Sequence, residues 1–258
     1  MNDIKISEED LQQLFGGKKS RSPIIVKIIK YCFLLIVLFA LGYITINYVA
    51  FYKSLSYWYS NDFKTYNNSD STNHAVVSIE SGDNQNRIKS SLPDIDENHL
   101  SIPKISTESP ILWQINNNEA EIQDNLENGV VHINGTALPG QNGNIFITGH
   151  SSNYFWAKGS YKNIFALLNK LLTGDLIYIK YNKQVYVYNI IETKTVKPMD
   201  VSVMKSNNKP LLSLMTCTPV GTSINRLIVI AEQILPETSN NVSFDSSKLS
   251  TSLPQGMK

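Results

Sequence analysis

The feature that most constrains this chain is an uncharged run from Tyr31 to Tyr52, bounded by Lys30 and Lys53. As a helix rising about 1.5 Å per residue it spans roughly 33 Å, enough to cross a hydrocarbon core of about 30 Å. Leu34 to Leu41 is apolar on every side, so such a helix has no polar face to offer water and suits a bilayer better than a globular core. Lys18, Lys19, Arg21, Lys27 and Lys30 precede the run, whereas only Lys53 and Lys64 follow closely. That bias sets the N-terminus in the cytoplasm and the remainder outside. No small-x-small site follows a short apolar core, so the expectation is an uncleaved, single-pass anchor.

This division orders the rest of the chain. Residues 1–30 read as a cytoplasmic tail, 31–52 as the transmembrane anchor and 53–98 as an extracellular stalk. Residues 99–236 form a globular domain, and 237–258 a polar tail. The stalk is rich in Asn, Ser and Asp. It opens on Tyr57-Trp58-Tyr59 at the membrane interface, and Ala75 to Glu80 reads as an isolated strand. The globular part is mostly strands. Ile102 to Ile105 and Pro110 to Trp113 read as short strands, the first placed at an edge by Pro103. Val130 to Ile133, Asn144 to Gly149, Leu211 to Thr216 and Leu227 to Ile234 follow. Leu176 to Tyr181 and Gln184 to Thr195 alternate in period two across Asn182-Lys183, a hairpin pattern. Glu119 to Asn128 carries Ile122 and Leu126 at helical spacing and predicts a helix capped by Gly129, and Ile164 to Leu172 predicts a second short amphipathic one. Many strands with two small helices argue for a mainly β fold, a barrel or sandwich.

Composition narrows the chemistry. The chain has 23 Lys+Arg against 22 Asp+Glu, a balance that gives no basis for nucleic-acid binding. Four His and two Cys, with no Cys-x-x-Cys or His-x-x-x-His spacing, supply no metal motif. Cys32 lies in the anchor, so Cys217 is the sole exported cysteine and has no disulfide partner on its side of the membrane. A lone exported thiol is either a small buried hydrophobe or a nucleophile. His150 closes the apolar stretch Asn144-Ile145-Phe146-Ile147-Thr148-Gly149, and Arg226 opens the run through Ile230. Thiol, imidazole and guanidinium are the parts for acyl transfer: a nucleophile, a general acid/base and a stabiliser of the oxyanion. His132, inside a strand after Val130-Val131, reads instead as a hydrogen-bonded structural histidine, and His74 and His99 as solvated ones.

Leu214-Met215-Thr216-Cys217, followed by Thr218 to Thr222 and Arg226, resembles the active-site strand and loop of sortases, the membrane-anchored cysteine transpeptidases of bacterial surfaces. Ser213 stands where the usual Thr-Leu-x-Thr-Cys motif begins. Gly129-Val130-Val131-His132 through Gly140 resembles the stretch before the family's catalytic histidine, and Gly143 to Ser152 the histidine strand itself. Ile102 to Ile105 with Pro110-Ile111 resembles the first strand. The resemblance runs from about Leu100 to Leu235 and implies an eight-stranded β-barrel. It implies a Leu-Pro-x-Thr-Gly-like sorting signal cut after Thr, a thioester on Cys217, and transfer to an amine of a cell-wall precursor or pilin subunit. His150 would be the general acid/base, Arg226 the oxyanion or substrate clamp, and Thr216 a substrate-binding neighbour. Tyr154, Phe155 and Trp156 would wall the groove. Hydrolysis of the same thioester would make the chain a thiol peptidase, and an unreactive Cys217 a silent barrel that binds surface proteins. No Asp-Pro-aromatic lid tripeptide occurs. Glu119, Glu121, Asp124 and Glu127 read as the polar face of a helix rather than a calcium site, so no cofactor is expected. Ser252-Leu253-Pro254-Gln255-Gly256 lacks the Thr of a sorting signal, so self-sorting is not expected.

Overall fold

The computed structural model describes residues 23–46, 48, 52, 55–56, 59, 92–153, 156–205 and 208–245. The chain divides into two compact units, one up to Thr45 and the other from Ile46 onward. In the first, helix α1 covers Pro23–Ile46, long and apolar enough to cross a membrane. It starts earlier than the uncharged run, because Pro23 suits the first turn of a helix and Lys27 and Lys30 are tolerated within it. Its large apolar side chains are exposed, Phe33 at 68% and Phe39 at 79%. The stretch Ala75 to Glu80, His74 and Tyr57-Trp58 lie outside the described residues.

The second unit is built on a closed barrel. Its strands are β1 (His99–Ile102), β2 (Thr107–Ile115), β3 (Val130–Ile133), β5 (Asn144–Thr148), β6 (Leu176–Tyr181), β7 (Gln184–Val196), β8 (Leu211–Thr218) and β9 (Asn225–Leu235). They hydrogen-bond in the order β1-β2-β3-β5-β8-β9-β7-β6, and β6 returns to β1 to close the ring. Most neighbours are antiparallel, but β2–β3 and β5–β8 are parallel, and each parallel pair needs a crossover. Helix α2 (Glu119–Leu126) supplies the first, and the β6–β7 hairpin lies within the second.

Two apolar clusters explain why the central strands read as continuous apolar runs. One fills the barrel with Ile145, Ile147, Leu212, Leu214, Leu227 and Val229. The other lies outside it, where Ile122 and Leu126 of α2, with Val203 and Met204, cover Phe146, Met215, Ile228 and Ile230. Strands β5, β8 and β9 are thus buried on both faces. Asn144 locks this cover: its Nδ2 donates to Val203 O (2.9 Å) and its Oδ1 accepts from Ser213 Oγ (2.9 Å). Ser213, the departure from the usual motif, keeps the hydroxyl that this bond uses.

Several boundaries differ from the sequence reading. Ile164 to Leu172 forms turns and one 3-10 turn at Leu168–Lys170, not an α-helix. Its apolar residues Phe165 and Leu168 are drawn into the barrel end, which fixes the chain without helical bonding. Pro103 opens a 3-10 turn after β1, and β1 is paired on both sides rather than an edge. Gly129 is needed for space rather than as a left-handed cap, since a Cβ there would lie 2.4 Å from Pro110 O. The end of the expected stalk is docked: Ile95 is buried and its carbonyl accepts from Lys180 Nζ, while Asn98 Oδ1 accepts from Trp113 Nε1. Part of the expected tail is docked as well, because β10 (Val242–Ser243) pairs in parallel with β4 (Gln141–Asn142).

Candidate active site

Strands β8 and β9 run antiparallel with Cys217 directly opposite Arg226. Leu212 and Leu214 face the barrel interior and Met215 the outer cluster, so Cys217, two residues beyond Met215, projects outward. Arg226, two residues before Ile228, projects to the same face. Directly opposed side chains in an antiparallel pair have Cβ atoms about 4.5–5.5 Å apart, which makes thiol and guanidinium neighbours.

The histidine reaches them through the parallel pairing of β5 and β8. Thr148 is level with Met215, Gly149 N donates to Met215 O (3.1 Å), and Thr216 Oγ1 donates to Gly149 O (2.8 Å). Continuing that register brings His150 level with Cys217. Two further contacts hold its backbone. Phe165 N donates to His150 O (2.9 Å), and the Phe165 ring sits so close to Gly149 that a Cβ there would be 2.5 Å from Cδ2. Asn153 Nδ2 lies 3.4 Å from His150 Nε2.

Cys217, His150 and Arg226 are all at 3% exposure or less, so their charged forms are costly unless something compensates. Burial lowers the His150 pKa to about 4. Burial likewise pushes the Cys217 thiol up, against a downward pull from Arg226 and with a further push from Glu119. At neutral pH the resting pair is therefore thiol and neutral imidazole. Arg226 Nη1 donates to Ser223 O and Asn225 O (both 3.1 Å), while its Nε is buried with no hydrogen-bond partner among the described residues. No carboxylate pairs with it there. A buried, unneutralised guanidinium beside a thiol is poised to receive negative charge.

The remaining residues separate. Thr216 is buried with its hydroxyl donated to Gly149 O, so it ties the thiol strand to the histidine strand. Trp156 is 61% exposed, whereas Tyr154 and Phe155 lie outside the described residues. His132 is fully buried: its Nδ1 accepts from Gln114 N (3.2 Å), its Nε2 lies 2.9 Å from both Ala137 O and Thr136 Oγ1, and its pKa falls to about 4. These bonds consume both ring nitrogens and make it structural. Among the described residues no three His, Cys, Asp or Glu side chains gather to hold a metal. Glu119 was missed as a neighbour of the site. The signal was available, because it stands three residues before Ile122 and seven before Leu126, on the stripe that faces the barrel.

The sortase domain model matches residues 100–234. The chain is 31% identical over 139 residues to sortase D of Bacillus subtilis strain 168, covering 52% of this chain and 62% of that one. It is 27% identical over 135 residues to sortase A of Bacillus anthracis, covering 52% and 58%. It thus spans about three fifths of the length of these relatives. Among solved structures, sortase C1 of Streptococcus agalactiae is similar, at 26% identity and a TM-score of 0.46, covering 54% of this chain and 68% of that one. The matched stretch contains the closed barrel, the thiol–guanidinium pair and the histidine strand, and by it this chain belongs to the sortase family.

Proposed function

We propose that this protein is a membrane-anchored cysteine transpeptidase, with α1 as its anchor and the barrel on the outer side of the membrane. Its substrates are surface proteins bearing a Leu-Pro-x-Thr-Gly-like sorting signal. The acceptor is an amine of a cell-wall precursor or of a pilin subunit. The observation that carries this reading is the buried cross-strand pair of Cys217 and Arg226, a thiol beside a cation that no carboxylate neutralises among the described residues.

The chemistry follows from these groups. His150, neutral at rest, takes the thiol proton as the sulfur attacks the carbonyl after Thr. The negative charge that develops on the carbonyl oxygen is met by the Arg226 guanidinium, whose Nε–H has no other partner among the described residues. The imidazolium then protonates the departing amine, which leaves the upstream protein as a thioester on Cys217. An incoming amine releases it and restores the thiol. Burial of all three groups keeps water from competing.

The test incubates the full chain in detergent with a Leu-Pro-x-Thr-Gly peptide panel and an amine, and follows the transfer product by mass spectrometry. Cys217→Ala is expected to abolish transfer. Arg226→Ala is expected to lower kcat/KM by about 10²–10³, and Arg226→Lys to restore little of it, because an ammonium cannot reproduce the planar fork. Hydrolysis without transfer would make the chain a thiol peptidase, and full activity in Cys217→Ala would refute the reading.

A further inference from the structure

His150 opens the loop that joins β5 to β6, and that loop is pinned at two points. Phe165 N donates to His150 O (2.9 Å), and Ser160 N donates to Glu127 O, just past the end of α2 (3.3 Å). Gly159, at a φ of 86°, packs so closely there that a Cβ would run into the same Glu127 carbonyl. Asn153 sits between these pins, three residues after His150 and half-buried. Its Nδ2 lies 3.4 Å from His150 Nε2, and the imidazole it meets is buried.

This contact selects a protonation state. An amide nitrogen carries two N–H donors and no acceptor, whereas a neutral imidazole has one N–H and one lone pair. Asn153 Nδ2 can therefore bond to Nε2 only when Nε2 holds the lone pair and Nδ1 the proton. Burial keeps the ring neutral at rest, since it lowers the pKa to about 4. The ionisable groups that β8 and β9 bring to this end are the Cys217 thiol and the Arg226 guanidinium. Neither is a carboxylate, which would accept from Nε2–H and favour the opposite tautomer. A buried lone pair left unmet is costly, and a bond as long as 3.4 Å meets it while remaining easy to give up.

We infer that Asn153 is a positioning residue for the acid/base step: by donating to Nε2 it holds resting His150 as the Nδ1–H tautomer, and so makes Nε2 the nitrogen that receives the Cys217 proton. This rests on the transpeptidase reading above and names the atom and the residue behind its first proton transfer. As substrate enters, the thiol takes the place of the amide at Nε2. The S–H proton passes to the Nε2 lone pair, the sulfur's electron pair forms the C–S bond, and the carbonyl π pair moves to oxygen. When that pair re-forms the carbonyl, the C–N bond breaks and the leaving nitrogen takes the proton back from Nε2. The freed lone pair returns to Asn153. Nδ1 keeps its proton throughout, and Asn153 gains and loses none.

The test reads the ring directly, by long-range proton–nitrogen correlation on the full chain in detergent with isotope-labelled histidine, His150→Gln identifying the signals. The wild type is expected as the Nδ1–H tautomer. Asn153→Asp, whose carboxylate only accepts, should turn the ring to Nε2–H. It should also move the acid limb of thioester formation upward from about pH 4, because a carboxylate beside the ring favours the imidazolium. Asn153→Ala should leave a mixture of tautomers and lower the kcat of thioester formation about tenfold at unchanged peptide KM, the scale of one hydrogen bond. A wild-type ring found as Nε2–H, or a tautomer and acid limb that neither variant moves, would overturn the inference. The spectra need no peptide, so a wild type that forms no thioester removes the transpeptidase reading separately, while the tautomer still decides the role of Asn153.

Discussion

At the residue scale, the site is defined by what burial does to four ionisable groups. Cys217, His150 and His132 are pushed by burial toward their neutral forms, at His132 against an opposing pull from its bond to Ala137 O, and Arg226 has no acidic partner among the described residues. The histidines carry a pH consequence. Their folded-state pKa of about 4 lies below the ordinary 6.5, so the unfolded chain takes up protons first as pH falls. Stability is therefore fully present above 6.5 and is lost between 6.5 and 4, by about 3 kcal/mol per histidine. Denaturant unfolding across that window should show a falling midpoint, with His132→Gln removing roughly half of the slope. An acid limb unchanged in that variant would contradict the assignment. Cys217, His150 and Arg226 stood out in the sequence because each lies at the end of an apolar run and within a stretch resembling a sortase motif. The sequence left Glu119 among the acids of a polar face, since the wetting of a helix stripe depends on what packs over it.

At the element scale, the hairpin and the central strands were legible from periodicity. Asn182 and Lys183 both have positive φ, the two-residue turn that the alternation on either side demands. Ile164 to Leu172 was not legible, because helical spacing of apolar residues there serves burial of Phe165 and Leu168 rather than a helix. That segment also holds the histidine strand. Gly149→Ala would drive a Cβ into the ring of Phe165, itself 1% exposed, and should cost about 1–3 kcal/mol by overpacking. The loss should be visible in thermal unfolding and relieved by a second change, Phe165→Leu. Relief would assign the cost to the ring; its absence would place the strain elsewhere. The parallel β5–β8 pairing that levels His150 with Cys217 joins strands far apart in sequence, so no local pattern announces it.

For the whole molecule, two units divide the work. Helix α1 offers apolar side chains on all sides, and the barrel closes without a free sheet edge. The proposal that α1 is an anchor with the barrel outside is testable from the outside of the cell. Protease added to intact cells should accordingly remove the domain, and protection until lysis would reverse the orientation. The central claim is that this architecture presents Cys217 as an acyl-accepting thiol. Its most direct test is the intact mass of the full chain, acid-quenched seconds after mixing with a Leu-Pro-x-Thr-Gly peptide and no amine. The account expects an added mass equal to the peptide up to Thr, located on Cys217 and discharged by hydroxylamine. A folded chain that carries no adduct with any peptide of the panel, or carries one in Cys217→Ala, would contradict it.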